Sequence, residues 1–424
     1  MKRKTWYPLD NAAKVYPPVS NSRRPSTFSL IAVLNEPIDK DILQKATNEI
    51  LDRFETFNVK LKRGIFWYYL EKNDKPFEVR EEMPYFLKQI TADENNGYLF
   101  RVLYKENRIN MVFFHSLCDG TGALDVFKSL VYEYLLLSGK DVTADDKVIT
   151  CTTPYTLEET FDSFNEHDYR TKQKPAKEVD AFKTDGTNFK WDGCGITTGV
   201  VDVESLKKET KKYDATITEY LGALYMHCLY HSFIKGKRAD NKNVKLLVPV
   251  NLRKWYPSHT LRNFAMFVRV GHNYEEEITF EECIELCKSQ IKKDLTKENL
   301  DAQIWSNVKT EKNVLLKLVP LFIKDFVIRM VYNKVGDNLH TANISNLGRV
   351  DFPDSVKPYV RDVAFIIGTG CSTKTHLALI SHNNRLSITF TREMVENQVE
   401  KMFFRELSSR GIVAEINSNY WEEL

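Results

Sequence analysis

The chain has 424 residues, of which 42% are hydrophobic, and it carries 60 basic against 58 acidic side chains. This length exceeds the size at which one hydrophobic core stops growing, so two folded units are expected, and the composition excludes a disordered chain. A net charge of +2 gives no reason to expect nucleic acid or an anionic membrane as a partner. The first ten residues are basic without a following apolar stretch, so no secretory signal is predicted.

The first third of the chain is typical of a hairpin-rich sheet covered by helices. Apolar residues recur there at alternating spacing, which indicates strands, or at helical spacing. The predicted elements are a strand at 27–34, a helix from about 37 to 53, hairpins of 57–61 with 65–70 and of 98–104 with 108–114, and a helix from 122 to about 138.

The rest of the chain alternates in the same way after a polar stretch. Residues from about 140 to 190 are predicted to cross between the two units, with their aromatic side chains packed against them. Asn383 and Asn384 form a strong hairpin turn between the last two strands. The predicted strands are 195–203, 244–250, 263–271, 341–346, 362–368, 376–382 and 385–391, and the predicted helices are 203–213, 217–234, 280–295, about 300–332 and 396–405.

The longest apolar run extends from Val314 to Tyr332 and is interrupted by charged residues and by Pro320. A membrane-spanning helix needs about 20 apolar residues without such interruptions, so no membrane span is predicted. An amphipathic helix on a membrane surface is one interpretation. A core-facing helix that is kinked at Pro320, or begins near it, is the favoured one.

The seven cysteines are scattered and form no paired Cys-x-x-Cys set, so no metal site is predicted from them. Free thiols in a reducing cytoplasm are the preferred interpretation, and a cytoplasmic location is predicted. His227 and His231 share one helical face and could bind zinc, but their aromatic and aliphatic neighbours favour ordinary packing.

The most informative stretch is 109–122, where an apolar run ends on His115 and a polar, glycine-rich turn leads into a helix. Histidine has an unperturbed pKa close to neutral, which suits proton transfer. A histidine at a strand end is more often a core or surface group, but the context here is unusual. Asp119 could hold either the imidazole or the turn itself, and the glycine amides could donate hydrogen bonds into the same space.

Other chemistry was weighed for these residues. Cys118 could act as a nucleophile with His115 as its base, or both could bind a metal, but their side chains are expected to diverge and no further ligands are evident. Gly368 and Gly370 before Lys374 hint at a phosphate loop. That stretch lacks the Gly-Lys-Thr order and leads into a strand instead of a helix.

Four stretches together carry a family resemblance. His115–Gly120 resembles the His-x-x-x-Asp-Gly signature of the chloramphenicol-acetyltransferase-like superfamily, which includes condensation domains and alcohol acetyltransferases. Three further stretches resemble the alcohol-acetyltransferase-like branch. They are Trp6–Ala13, Pro249–Arg253 with Arg262–Phe264 after it, and Ile344–Val350. One departure is Phe114, where many relatives carry a first histidine, and its effect on activity stays open.

The resemblance implies a role for each matching residue. His115 would be the general base on an acceptor hydroxyl or amine that attacks an acyl thioester. The Gly120 N–H would be the first candidate to stabilise the oxyanion, with Ser345 or Asn346 across the cleft as the second. Asp119 would be structural and would pair with Arg253. The residues predicted to bind substrate are Asn251, Ser345 and Asn346.

The predicted fold is α/β, with two chloramphenicol-acetyltransferase-like subdomains of mixed sheets flanked by helices that form a V-shaped cleft. Residues 1–150 would form the first subdomain, 151–194 the crossing linker and 195–424 the second. The predicted function is acyl transfer from a coenzyme A or carrier-protein thioester to an alcohol or amine, with no cofactor, metal or nucleic acid and with an acyl carrier protein as a candidate partner. The alternative is a non-catalytic thioester-binding module of a biosynthetic assembly.

Overall fold

The computed structural model describes residues 5–167, 169–173, 178–190, 193–370 and 372–419. Fifteen strands lie within these ranges: β1 (Trp6–Pro8), β2 (Thr27–Leu34), β3 (Val59–Arg63), β4 (Tyr68–Lys72), β5 (Arg80–Glu81), β6 (Phe100–Lys105), β7 (Arg108–Phe114), β8 (Gly195–Asp202), β9 (Asn243–Asn251), β10 (Ala265–Asn273), β11 (Ala342–Arg349), β12 (Val360–Ile367), β13 (Thr375–His382), β14 (Arg385–Arg392) and β15 (Ala414–Ser418). The α-helices there are α1 (Tyr16–Val19), α2 (Lys40–Arg53), α3 (Gly120–Leu137), α4 (Val203–Lys211), α5 (Ile217–Phe233), α6 (Phe280–Asp294), α7 (Lys297–Lys312), α8 (Val314–Leu318), α9 (Leu321–Val331) and α10 (Gln398–Ser409).

The N-terminal part of the chain builds a five-stranded sheet in the order β12-β2-β7-β6-β5. Its pairings are antiparallel except for the short β5, which runs parallel to β6. Apolar residues of β2, β6 and β7 bury against α2 and α3, which pack on each other. A three-stranded antiparallel sheet, β1-β4-β3, lies beside this unit.

The C-terminal part builds a seven-stranded mixed sheet in the order β10-β9-β11-β13-β14-β8-β15. β11 runs parallel to both β9 and β13, and the other neighbours are antiparallel. Residues of α5, α6 and α10 share one core with β9, β13 and β14. The predicted fold class, mixed α/β with mixed sheets flanked by helices, is confirmed.

The two large sheets are joined by β12, which comes from the C-terminal range but pairs with β2 of the five-stranded sheet. β12 also packs against β13 and β14 of the seven-stranded sheet. The first core accordingly contains Val350, Phe352 and Phe365 from the C-terminal range. The division at 150 and 195 stays a prediction. β12 shows that the C-terminal range returns to contribute a strand to the sheet of the N-terminal part.

Most long elements were predicted within two or three residues. β2, for example, spans the predicted 27–34, and α5 spans 217–233 against a predicted 217–234. The crossing aromatic residues Phe164 and Tyr169 are buried in a small cluster with Leu252 and Phe264. The short elements β1, β5, β15 and α1 were not predicted, because two to five residues carry too little periodicity.

The prediction that residues 314–332 form a core-facing helix is wrong. The break near Pro320 is confirmed, since α8 ends at Leu318 and α9 begins at Leu321. The apolar side chains of both helices are largely exposed, whereas Lys324 and Asp325 are buried. Across the described part of the chain, no helix combines the length and the apolar character that crossing a membrane requires.

Candidate active site

His115 is the first residue after β7, and backbone pairing fixes where it leaves the sheet. Its N–H donates to Ser26 O (2.9 Å) at the start of β2. The chain then turns at once, with the Leu117 N–H donating to Phe114 O (2.9 Å), and α3 begins five residues after His115. We call residues 115–122 the His115 corner.

Asn263 fixes the orientation of the imidazole. Its Oδ1 lies 3.1 Å from His115 Nδ1, while its Nδ2 donates to His115 O (3.1 Å) and to Asp10 Oδ2 (3.2 Å). Because two acceptors engage the amide nitrogen, the amide oxygen must face the ring, and Nδ1 must carry the proton. Nε2 therefore keeps its lone pair, as a general base requires.

Asp10 holds Asn263 in place from a fully buried position. Its Oδ1 accepts the Ala13 N–H (2.7 Å), and its Oδ2 lies 3.6 Å from the guanidinium Nε of Arg262. The charged partner and the hydrogen-bond donors compensate the cost of burying this carboxylate. The N-terminal segment thereby reaches from the first unit to the loop before β10.

Two aromatic rings enclose the imidazole. Tyr16 stacks on it with ring centroids 4.6 Å apart and 16° between the planes, and Phe28 contacts it edge-on at 5.2 Å. Desolvation in this setting lowers the pKa of His115, and the Asp119 charge and the Asn263 hydrogen bond oppose that shift in part. His115 is still partly exposed, and the lowered pKa favours the neutral imidazole at pH 7.

Asp119 is buried and joins three parts of the chain. Its Oδ1 accepts the Gly122 N–H (2.9 Å), so it is the N-cap of α3. Its Oδ2 accepts from Arg253 Nη1 (2.7 Å) and from the Phe264 N–H (2.7 Å). The carboxylate does not bond the imidazole; it ties the His115 corner to the loop between β9 and β10.

Arg253 is the cationic partner of Asp119, and all three of its guanidinium nitrogens donate hydrogen bonds. Nε and Nη2 donate to Thr260 O (3.1 and 2.8 Å), and Nη2 also donates to Arg262 O (2.7 Å). Asn251 Oδ1 accepts the Arg253 backbone N–H (3.0 Å). Asn251 thus supports Arg253, and its predicted contact with substrate stays a proposal.

The first turn of α3 packs so closely on neighbouring segments that Gly122 is required and a β-carbon on Gly120 would force the Leu347 side chain to move. A β-carbon on Gly122 would lie 2.0 Å from Leu261 O, a backbone atom that cannot move aside, and one on Gly120 would lie 2.5 Å from a methyl of Leu347. The N–H groups of Gly120 and Thr121 have no hydrogen-bond acceptor within the described residues. They are the unpaired donors that the first turn of a helix leaves at its N-terminus.

The predicted residues on β11 lie next to Leu347, which contacts the Gly120 position. Ser345 is buried, and Asn346 Nδ2 donates to Thr218 Oγ1 (2.9 Å) while its Oδ1 accepts the Gly348 N–H (2.8 Å). Within the described ranges, no hydrogen bond joins either residue to the His115 corner. The structure therefore brings His115, Asp119, Gly120, Arg253 and Asn251 together, whereas Ser345 and Asn346 approach them only through the neighbouring Leu347.

Asp10, Tyr16 and Asn263 contribute to the site but were not predicted as site residues. Asp10 and Asn263 both lie in stretches whose resemblance to a family was noted, so that resemblance was the available signal. Tyr16 lies in a Pro-rich segment without periodicity, so no sequence pattern indicates that it belongs to the site.

Cys118 is excluded as a nucleophile. It is fully buried, and burial raises the pKa of its thiol well above the usual value, so the reactive thiolate is absent. Among the described residues, Glu49, Glu133 and Cys151 form the one group that could hold a metal ion. Burial raises the pKa of both Glu133 and Cys151.

Replacing Asn263 with leucine is expected to lower kcat about 10- to 100-fold, a part of what a general base contributes, because Nδ1 loses its acceptor and the ring its orientation. The hydrogen bond that His115 Nδ1 donates to Asn263 raises the pKa of His115, so the acid limb of the pH–rate profile should move to lower pH in the variant. The exposed Asn48→Leu is the control. A loss of activity that follows unfolding, with an unmoved acid limb, would reduce Asn263 to a packing role.

The family model for alcohol acetyltransferase matches residues 164–409, more than half of the chain. No curated protein sequence matches significantly.

Solved structures match over nearly the whole chain at low identity, which shows a shared fold. A complex of the starter condensation domain of rhizomide synthetase RzmA with C8-CoA has 12% identity and a TM-score of 0.62, covering 96% of this chain and 94% of that one. Polyketide synthase associated protein 5 from Mycobacterium tuberculosis has 12% identity and a TM-score of 0.58, covering 95% and 96%. TRI3 trichothecene 15-O-acetyltransferase from Fusarium sporotrichioides has 9% identity and a TM-score of 0.57, covering 96% and 95%.

Proposed function

Because the chain belongs to the alcohol acetyltransferase family, we propose that it transfers an acyl group from a thioester to an alcohol or amine, with His115 as general base. The observation that carries this proposal is the chain of contacts from Asp10 through Asn263 to His115 Nδ1, which leaves Nε2 as the basic atom.

The proposed reaction begins with proton transfer. Nε2 takes the proton of the acceptor hydroxyl or amine while the acceptor atom attacks the thioester carbonyl carbon. The tetrahedral intermediate then expels the thiolate. The thiolate takes the proton from Nε2, so the histidine is neutral again at the end. Proton transfer of this kind contributes about 10²–10⁴-fold to the rate.

The oxyanion of the intermediate needs hydrogen-bond donors that are fixed before the reaction. The N–H groups of Gly120 and Thr121 at the start of α3 meet that need, and the helix dipole adds favourable charge. In this proposal Asp119 and Arg253 hold the helix start in position and do not touch the reacting atoms. Asn251, Ser345 and Asn346 are proposed to line the path of the substrate.

The relatives favour coenzyme A thioesters as donors and hydroxyl groups as acceptors. One structure with the shared fold is a complex with C8-CoA, and another is a 15-O-acetyltransferase. Other matches are domains of peptide synthetases, which keeps a carrier-protein thioester as the alternative donor.

The test is to incubate the purified chain with acetyl-, butyryl- and octanoyl-CoA and with a panel of alcohols and amines. We expect thiol release that depends on both the chain and an acceptor, with the ester or amide identified by mass spectrometry. Thioester binding without acceptor-dependent thiol release, with both free and carrier-bound donors, would overturn the enzymatic function. That result would identify a thioester-binding module instead.

A further inference from the structure

The helices α8 and α9 carry a large apolar surface that no described residue covers. We call this surface the α8–α9 face. Leu315 on α8 is 77% exposed and Phe326 on α9 is 67% exposed. Soluble monomers rarely expose apolar patches of this extent without a binding partner. The apolar residues of the face are Val314, Leu315, Leu316, Leu318, Phe322, Ile323, Phe326, Val327, Met330 and Val331.

The orientation of α9 is fixed by its charged residues, which point inward. Lys324 Nζ donates to Phe66 O (3.0 Å) and Lys317 O (3.2 Å) and lies 3.8 Å from the centre of the Trp67 ring. Asp325 Oδ2 accepts from the hydroxyl of Tyr68 (2.9 Å). Turning the apolar side inward would break these contacts of Lys324 and Asp325. The apolar side of α9 therefore faces outward because Lys324 and Asp325 hold the opposite side against the protein.

The tip of the β3–β4 hairpin extends the same surface. The Leu321 N–H donates to Ile65 O (2.8 Å), which fixes the hairpin tip to the start of α9. Ile65 is 76% exposed, and the neighbouring Phe66 is also exposed. Two segments about 250 residues apart in sequence thus present apolar side chains side by side.

Basic residues border the face, and its acidic residues are already paired. Residues 309–334 contain six basic and two acidic side chains. Glu311 is paired with Lys14, and Asp325 is paired with Arg63. The exposed charges of this segment are therefore positive, although the whole chain has a net charge of only +2. They are Lys309, Lys312, Lys317, Arg329 and Lys334.

We propose that the α8–α9 face docks the protein on an anionic lipid bilayer, with the apolar side chains in the interface and the bordering lysines and arginines on the headgroups. An apolar face bordered by basic residues is the pattern of helices that lie in a membrane interface. A second copy of the chain fits less well. A symmetric dimer would place the basic border of one copy against that of the other, and such like-charge contacts are unfavourable.

The docking face is connected to the His115 corner. Arg329 Nε on α9 donates to Pro18 O on α1 (2.9 Å), and α1 carries Tyr16, whose ring stacks on His115. Resting on the proposed function, this connection places the site where apolar acceptors dissolved in the bilayer can enter. The binding of lipid itself does not depend on acyl transfer.

The test is co-sedimentation of the full chain with vesicles of phosphatidylcholine containing about 30% phosphatidylserine, compared with phosphatidylcholine alone. We expect binding to the anionic vesicles that weakens with salt. Leu315→Ser with Phe326→Ser should weaken it at least tenfold, and Lys312→Gln with Lys317→Gln should weaken it severalfold. The control is Val413→Ser, a change at an equally exposed apolar residue outside the face, and it should bind like the unmodified protein.

Other results would overturn the proposal. Failure of the unmodified chain to bind either vesicle would do so, and so would a dimer in light scattering that the serine variants dissociate. His115→Asn separates this proposal from the proposed function, because it should bind vesicles normally while losing turnover. Vesicle binding by an inactive protein would leave docking intact and reject only the acyl transfer.

Discussion

Replacing His115 with alanine is expected to lower acyl-transfer turnover by about 10²–10⁴-fold, because general base catalysis contributes that much. The fold should be retained, since the partly exposed imidazole makes one side-chain hydrogen bond, to Asn263. The measurement is acceptor-dependent thiol release under saturating thioester, with circular dichroism to confirm folding. The control is His272→Ala, another partly exposed histidine near a strand end, whose Nε2 lies 3.2 Å from Glu276 O.

The pH dependence gives this prediction a second readout. Burial lowers the pKa of His115 below its usual value of 6.5, and the base works only when neutral. Turnover should therefore stay constant from pH 8 down past 6.5 and fall only below that lowered pKa. An acid limb centred well above pH 6.5, or a His115→Ala variant with unchanged turnover, would show that another group is the base.

The layout around His115 could be predicted because local patterns specify it. About thirty consecutive residues contain all three patterns: the alternating residues of β7, the polar turn and the helical spacing of α3. The contacts of His115 could not be predicted in the same way. Asn263 lies 148 positions from His115, and no local pattern indicates which distant amide will face the ring.

The α8–α9 face shows a second limit of sequence patterns. Periodicity correctly indicates that α9 has an apolar side and a charged side. It does not indicate which side meets the protein, and the usual preference for buried apolar residues gives the wrong answer here. The orientation is set by tertiary contacts of Lys324 and Asp325 with the distant β3–β4 hairpin.

Replacing Asp119 with alanine is expected to destabilise the protein by about 3–5 kcal/mol, the usual cost of removing one member of a buried ion pair. Arg253 would lose its only carboxylate among the described residues, and the N–H groups of Gly122 and Phe264 would lose their acceptor. The measurement is the free energy of unfolding in urea. Asp125→Ala, on the same helix and in a more exposed pair with Lys128, is the control and should cost less than about 1 kcal/mol.

Asp119→Asn separates the two roles of this side chain, which are the N-cap of α3 and the ion pair with Arg253. The asparagine can still cap α3 with its oxygen, but its NH2 group would replace Oδ2, so the ion pair with Arg253 and the acceptor of the Phe264 N–H are lost while the cap is kept. We expect Asp119→Asn to be intermediate in stability, and turnover to fall in step with stability across the three proteins. If Asp119→Ala keeps its full free energy of unfolding yet loses turnover selectively, Asp119 acts on the substrate or on His115 directly. Its proposed role of holding the helix start against the β9–β10 loop would then be wrong.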